Sequence, residues 1–385
     1  MKRGLVLALV VACGTPAKQK PAAPQNLRAT ASDQQVLLEW DAVADAEGYT
    51  VTVQEGAGGR TATTSEPRFV HTPAVNGRTY DYLVRATNGD DAAKISATPA
   101  SPLEGWVIGS VPGDVAAIAY GGGVFVASSA GKPTTKVLRS TDGTTWTDSA
   151  FPGSGLGRVV FTQGKFYIAA FTGGIYSSAD GVSWATEFTP ATMGRQIAAA
   201  EDGTIVVLPN VVRANGAWSN SASNLPATVG QDVAFGAGRF VAVSGSGAIY
   251  SSTNAITWQE ETDHPAVDSV HSLRFTGDRF VALGSGGAGM GARLLSSSDG
   301  RHWTMVTPDE GACPFADVAF AQGIFVTVGA QQRICTSSDL SVWRLRETIP
   351  ALPFPEPAGT PALSAVIYAN GKWVAVGENT GVTHP

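Results

Sequence analysis

Between residues 27 and 97, apolar and polar side chains alternate in short runs separated by turns. The clearest runs are Val36-Leu37-Leu38-Glu39-Trp40, Tyr49-Thr50-Val51-Thr52-Val53 and Tyr80-Asp81-Tyr82-Leu83-Val84-Arg85-Ala86. A period of two marks half-buried strands. Several such strands in so short a stretch predict one small two-layered sandwich.

Past residue 104 similar runs return on a longer beat. Tryptophans stand at 106, 146, 184, 218, 258, 303 and 343, with gaps of 40, 38, 34, 40, 45 and 40 residues. A second marker opens a β-run at Phe125, Phe166, Ile205, Phe240, Phe280, Phe325 and Trp373, usually after a Gly-x turn. Each unit reads as four short strands. Repeats of about 40 residues built this way predict a propeller or solenoid, and four-stranded blades set around an axis leave only short, protected edges. The last repeat begins at Leu363 and stops at His384-Pro385, before its final strand. The strand Gly105 to Gly109 stands at the start to supply it. Closure by that N-terminal strand makes seven blades over 104–385, and the expected fold class is all-β. Glu347 to Thr360 is Pro-rich and is expected to be an inserted surface loop.

The turn before most of these tryptophans repeats as well. It reads Ser140-Thr141-Asp142-Gly143-Thr144-Thr145-Trp146, and returns around Asp180, Asp299 and Asp339, with Asn254 as a variant. A short polar side chain there can accept backbone N–H groups two residues on, and glycine supplies positive φ. These turns resemble the Asp-box (BNR) repeats of sialidase-like β-propellers. The resemblance implies that Asp142, Asp180, Asn254, Asp299 and Asp339 are structural residues on outer hairpins rather than metal ligands or catalytic acids. The repeat around Trp218 lacks the box and is the shortest.

Residues 25–100 resemble a fibronectin type III domain. Trp40 matches the core tryptophan of the family's second strand and Tyr49 the tyrosine opening its third. Tyr80, Val84 and Ala86 match the Y-x-x-x-V-x-A pattern of its sixth strand. No Arg-Gly-Asp tripeptide is present, so the module is expected to be a spacer or docking piece.

Met1-Lys2-Arg3 followed by an apolar run to Ala12 has the layout of an export signal. Val10-Val11-Ala12-Cys13 resembles the lipobox of bacterial lipoproteins, which implies cleavage after residue 12 and lipidation of Cys13. Residues 13–24 then form a lipidated tether. The expected location is the bacterial cell envelope, at the outer membrane or cell surface, held by lipid alone. Cys313 and Cys335 are the other cysteines. An even pair in an oxidising compartment favours a disulfide, with inert thiols or a metal site as rivals, and no nearby histidine pair supports zinc.

The chain has 385 residues, with 43% hydrophobic and 15% charged, which describes a core-forming protein. Its 45 glycines and 22 prolines exclude long helices, and the net charge of −6 argues against nucleic acid. A monomer without cofactor or metal is expected.

Aligning the repeats places Ala117, Arg158, Ile197, Asp232, Ser272, Asp317 and Ala365 where each inner strand begins, around the channel mouth. Arg158, Asp232, Ser272 and Asp317 are therefore the candidate ligand-binding residues. Their rival role is as strand-entry residues satisfied by backbone or water. The expected function is non-catalytic binding of a polysaccharide or an envelope protein. The runner-up is a carbohydrate-active hydrolase in which Asp232 and Asp317, set three repeats apart, face each other as the carboxylate pair. An assembly factor for an envelope complex is a third reading. A sialidase is not supported: there is no Arg-Ile-Pro start, and the propeller tyrosines lie in apolar runs.

Overall fold

The computed structural model describes residues 20–384 except 33, 56–57, 101–105, 130–135, 173, 192–193, 221–222, 286–291, 310–312 and 349–361. Cys13, the proposed export signal and most of the Pro-rich stretch at 347–360 lie outside the described residues. Every regular element described is a β-strand. The chain divides into two units, 1–102 and 103–385.

In the first unit, strands Arg28–Ser32, Gln35–Glu39 and Arg68–His71 form one sheet. Gly58–Thr64, Tyr49–Glu55, Tyr80–Ala86 and Ala92–Ala97 form another. The alternation along Tyr80–Ala86 places Tyr80, Tyr82, Val84 and Ala86 inside and Asp81 and Arg85 outside. Tyr80, Tyr82 and Val84 share one core with Val36, Leu38 and Trp40. Trp40 meets Tyr49 edge to face at 5.1 Å. The Tyr80 hydroxyl accepts the Val75 amide at 2.8 Å, fastening the loop that leads into its own strand.

In the second unit, four-stranded antiparallel sheets follow one another over 154–188, 197–220, 232–261, 269–306 and 317–348. A further sheet takes strands from both ends, in the order Thr147–Ser149, Val137–Ser140, Val124–Ser129, Val107–Gly121, Lys372–His384, Leu363–Ala369. There Val382 pairs with Ile108 and Thr383 with Val107. The first strand of each sheet touches the first strand of the next, and Leu363–Ala369 touches Val107–Gly121. The series therefore closes into a ring.

What holds sheet to sheet is repeated in the sequence. Trp146 is buried with Ala365, Val374 and Val376 of the two C-terminal strands in the joining sheet, and, against the sheet before their own, Trp303 is buried with Val241 and Val243 and Trp343 with Val281 and Leu283. Each Ser-x-Asp/Asn turn sets up its tryptophan. Asp142 Oδ1 accepts the amides of Thr144 and Thr145, both at 2.8 Å. The Trp146 indole then donates to Gly143 O at 3.0 Å. The same amide pattern recurs at Asp180, Asn254, Asp299 and Asp339. All five turns join a third strand to the outermost one, as at Val137–Ser140 and Thr147–Ser149. A disulfide joins Cys313 to Cys335, tying the approach to Asp317–Ala321 to strand Arg333–Ser337.

The residue after each Asp or Asn is left-handed, with φ between 65° at Ala255 and 79° at Gly143. At Gly181 a Cβ would stand 2.6 Å from Val126 Cγ2 of the neighbouring sheet. Gly181→Ala should therefore lower stability by about 2 kcal/mol, from left-handed strain and overpacking together. Ala255→Gly should change it by less than about 1 kcal/mol, because relieved strain offsets a lost buried methyl. Urea midpoints of the two variants check both values.

Candidate functional site

The strands that line the ring's axis are irregular where they begin. Pairing shifts register between Leu156 and Val159, between Val270 and Ser272, between Val115 and Ala117, and between Leu363 and Ala365. Bulges of this kind bend a strand and re-aim its side chains. Arg158 lies in the first of them. Its guanidinium reaches past the 197–220 sheet to pair with Asp232, and its Nη1 stands 3.3 Å from Val233 O and 3.4 Å from Leu273 O.

Asp232 collects several donors. Its Oδ1 accepts the Val233 amide at 2.8 Å and its Oδ2 the Leu273 amide of the next sheet at 2.7 Å. Arg274 Nη1 stands 3.3 Å from the same Oδ2 and donates to Leu273 O at 3.0 Å. Asp317 repeats the arrangement two sheets further on, where its Oδ2 accepts the Val366 amide at 3.0 Å. Arg274 Nε lies 2.7 Å from Asp317 Oδ1 as an ion pair, though off the line of a hydrogen bond. Each aspartate thus staples its own inner strand to an amide of the next sheet, and two arginines link the staples.

Three of the four residues singled out from sequence meet in this network. Ser272 is buried between them without joining it, its Oγ lacking a hydrogen-bond partner among the described residues. Asp232 and Asp317 are separated by a single sheet, 269–306, where three repeats were expected. Both are about 1% exposed, so they do not face each other across open solvent as a carboxylate pair. The arginine side chains that hold them are 18% and 23% exposed. Arg274 was missed from sequence. Its signal is a lone cation in the buried run Ser269–Phe275, on the same face as Ser272.

Burial raises both acids, Asp232 to about 6 and Asp317 to about 7, against the opposing pull of Arg158 and the amides. The aspartates of the outer turns are shifted the other way. Amides of Ser183 and Val182 lower Asp180. At Asp142 burial is the largest influence and raises the acid, but the Thr145 and Thr144 amides and Ser140 together outweigh it, and the acid ends lowered. No group of three or more His, Cys, Asp or Glu suited to a metal occurs among the described residues.

The family described as the DUF6242 beta propeller domain matches residues 106–214. The ring is a β-propeller. It is similar to the structure titled "YCF48 bound to D1 peptide", with TM-score 0.55 and 15% identity over 72% of this chain and 96% of that one. YCF48 from Cyanidioschyzon merolae gives 0.51 and 16% over 72% and 97%. Virginiamycin B lyase from Staphylococcus aureus gives 0.56 and 11% over 73% and 100%. At such identities the likeness is one of fold alone. No curated protein matches the chain.

Removing one partner from a buried ion pair strands the other charge. Arg158→Met should therefore cost about 3 kcal/mol in urea unfolding, and most of it should return when Asp232→Asn is added. A carboxyl raised above its usual 3.8 contributes stability that is complete below that value and lost as pH rises through about 6 and 7. The urea midpoint should accordingly be higher at pH 5 than at pH 8, and Asp317→Asn should shrink the difference.

Proposed function

We propose that the protein is an exported lipoprotein of the bacterial cell envelope whose propeller is a non-catalytic platform for a protein partner. In this reading Cys13 carries the lipid and residues 13–24 are the tether. Residues 25–100 are a fibronectin type III spacer. Residues 104–385 form a seven-bladed ring of Asp-box repeats, in which strand Val107–Gly121 completes the last blade as well as entering the first.

The observation that carries the non-catalytic part is the state of the mouth acids. A glycosidase needs one carboxylate to approach the anomeric carbon or a water and another to protonate the leaving oxygen. Asp232 and Asp317 are buried and committed to amides and guanidinium groups. Recognition then falls to connecting loops, which a propeller presents on a rigid frame. A protein partner is preferred to a polysaccharide because the similarly folded YCF48 has been solved with a peptide bound. A role in assembling an envelope complex is one form of the same reading.

Two measurements test it. On a glycan and polysaccharide array, the protein should neither bind strongly nor release reducing sugar. Release that vanishes in Asp232→Asn or Asp317→Asn would overturn the reading. For the anchor, Cys13→Ser should move the protein from the membrane fraction to the soluble one, and a variant that stays in the membrane would remove the lipid from the account.

A further inference from the structure

The opposite ends of the inner strands carry the hairpins into the second strands, and the one in the 197–220 sheet differs from the rest. Elsewhere these turns are short and mostly uncharged, as at Gly122-Gly123, Gln163-Gly164, Gln322-Gly323 and Asn370-Gly371. Asp278 is the exception, and it is paired with Arg279 at 2.7 Å. In the 197–220 sheet the turn is longer, closed by the Ala200 amide on Thr204 O at 2.8 Å, and it carries Glu201 and Asp202. The next sheet offers only Ala237-Gly238. A bulky acidic turn beside a nearly bare one leaves a cavity of about 420 Å³, lined by Glu201, Asp202, Phe235, Gly236, Gly238 and Phe275.

The lining combines aromatic and acidic side chains. Phe275 lies directly on Gly236, where a Cβ would come within 2.1 Å of its ring, and Phe235 supplies a second aromatic wall. Both rings are only half-buried. Glu201 and Asp202 are exposed, and neither has an ion-pair partner among the described residues. Asp202 uses Oδ1 to accept the Thr204 amide at 2.8 Å. Of the neighbouring cations, Arg213 reaches the same turn but donates to Gly203 O at 2.9 Å and stands over the Tyr167 ring, pairing with neither acid, while Arg239 donates to Ser251.

Aromatic rings beside carboxylates are the recognition chemistry of an organic cation. The volume lies near the lower end of ligand pockets and admits one long side chain together with the backbone that presents it, and the net charge of −6 favours cations in the surrounding field. We infer that this cavity takes a lysine or arginine side chain presented by a protein partner. The inference rests on the reading of the propeller as a protein-binding platform, and it adds the chemistry of what is recognised.

The test is a titration of the isotope-labelled full chain, following the backbone amides of Gly203, Gly236 and Gly238 by NMR. The probes are Nα-acetyl-lysine methylamide, Nα-acetyl-arginine methylamide, the neutral norleucine analogue and putrescine. The basic amino-acid probes should shift these amides saturably and the norleucine analogue should not. A Glu201→Gln, Asp202→Asn double variant, which keeps an acceptor for Thr204, should weaken binding at least tenfold with the rest of the spectrum unchanged. Equal shifts from norleucine, undiminished binding by the double variant, or no shift at 50 mM probe would each overturn the inference. Putrescine binding more tightly than either amino acid would overturn the assignment to a partner's side chain. Because the probes are small amines, this result does not depend on whether the glycan array is silent, so the two readings can fail separately.

Discussion

The contact on which the propeller's axis depends is the pairing of Arg158 with Asp232 across an intervening sheet. A ring of sheets has no central element of its own, so the inner strands need something between them. Here the filling is ionic: two guanidinium groups and two carboxylates, with main-chain amides and carbonyls satisfying most of their remaining hydrogen bonds. Buried charges are tolerated only when paired and hydrogen-bonded in this way. The arrangement also explains why each aspartate begins an inner strand. From that position it reaches the amide one residue past the equivalent place on the next sheet, Leu273 from Asp232 and Val366 from Asp317.

The outer rim is held by different physics. There the Asp or Asn turn closes on its own amides, and a tryptophan is delivered into the seam against the strands that precede its unit around the ring. These acids stay ionised because amides point at them, while the axial acids are driven toward neutrality by burial. One residue type thus serves two structural purposes, and the difference lies in how much water each position retains.

Ligand recognition is displaced as a result. With the mouth acids committed to holding strands together, chemistry at that end is presented by two mostly buried arginines. At the opposite end, two unlike hairpins leave a cavity with unmatched negative charge. Both features arise where one repeat departs from its neighbours: an arginine, Arg158, at a bulge that other inner strands share, and an acidic turn beside a bare one. Departures from an internal repeat are informative because the common features already account for the packing.

Much of this could be read from the chain. The period-two runs around Trp40, Tyr49 and Tyr80, the tryptophan spacing, the Asp and Asn turns and the closing strand all express local chemistry or periodicity, and linear order carries those directly. Aligning the repeats brought Arg158, Asp232, Ser272 and Asp317 to one level, because repeats of one unit place equivalent residues at equivalent heights. What they do there was not legible. Repeat alignment does not mark Arg274, and it sets Asp232 and Asp317 too far apart and in solvent, since burial and the reach of a guanidinium depend on how bulges aim side chains across the axis. The amino-acid sequence alone determined a β-rich repeat protein with a structural Asp or Asn in five of its outer turns. Only the tertiary structure decided that the axial acids are locked rather than offered, because desolvation and ion pairing exist only once distant strands meet.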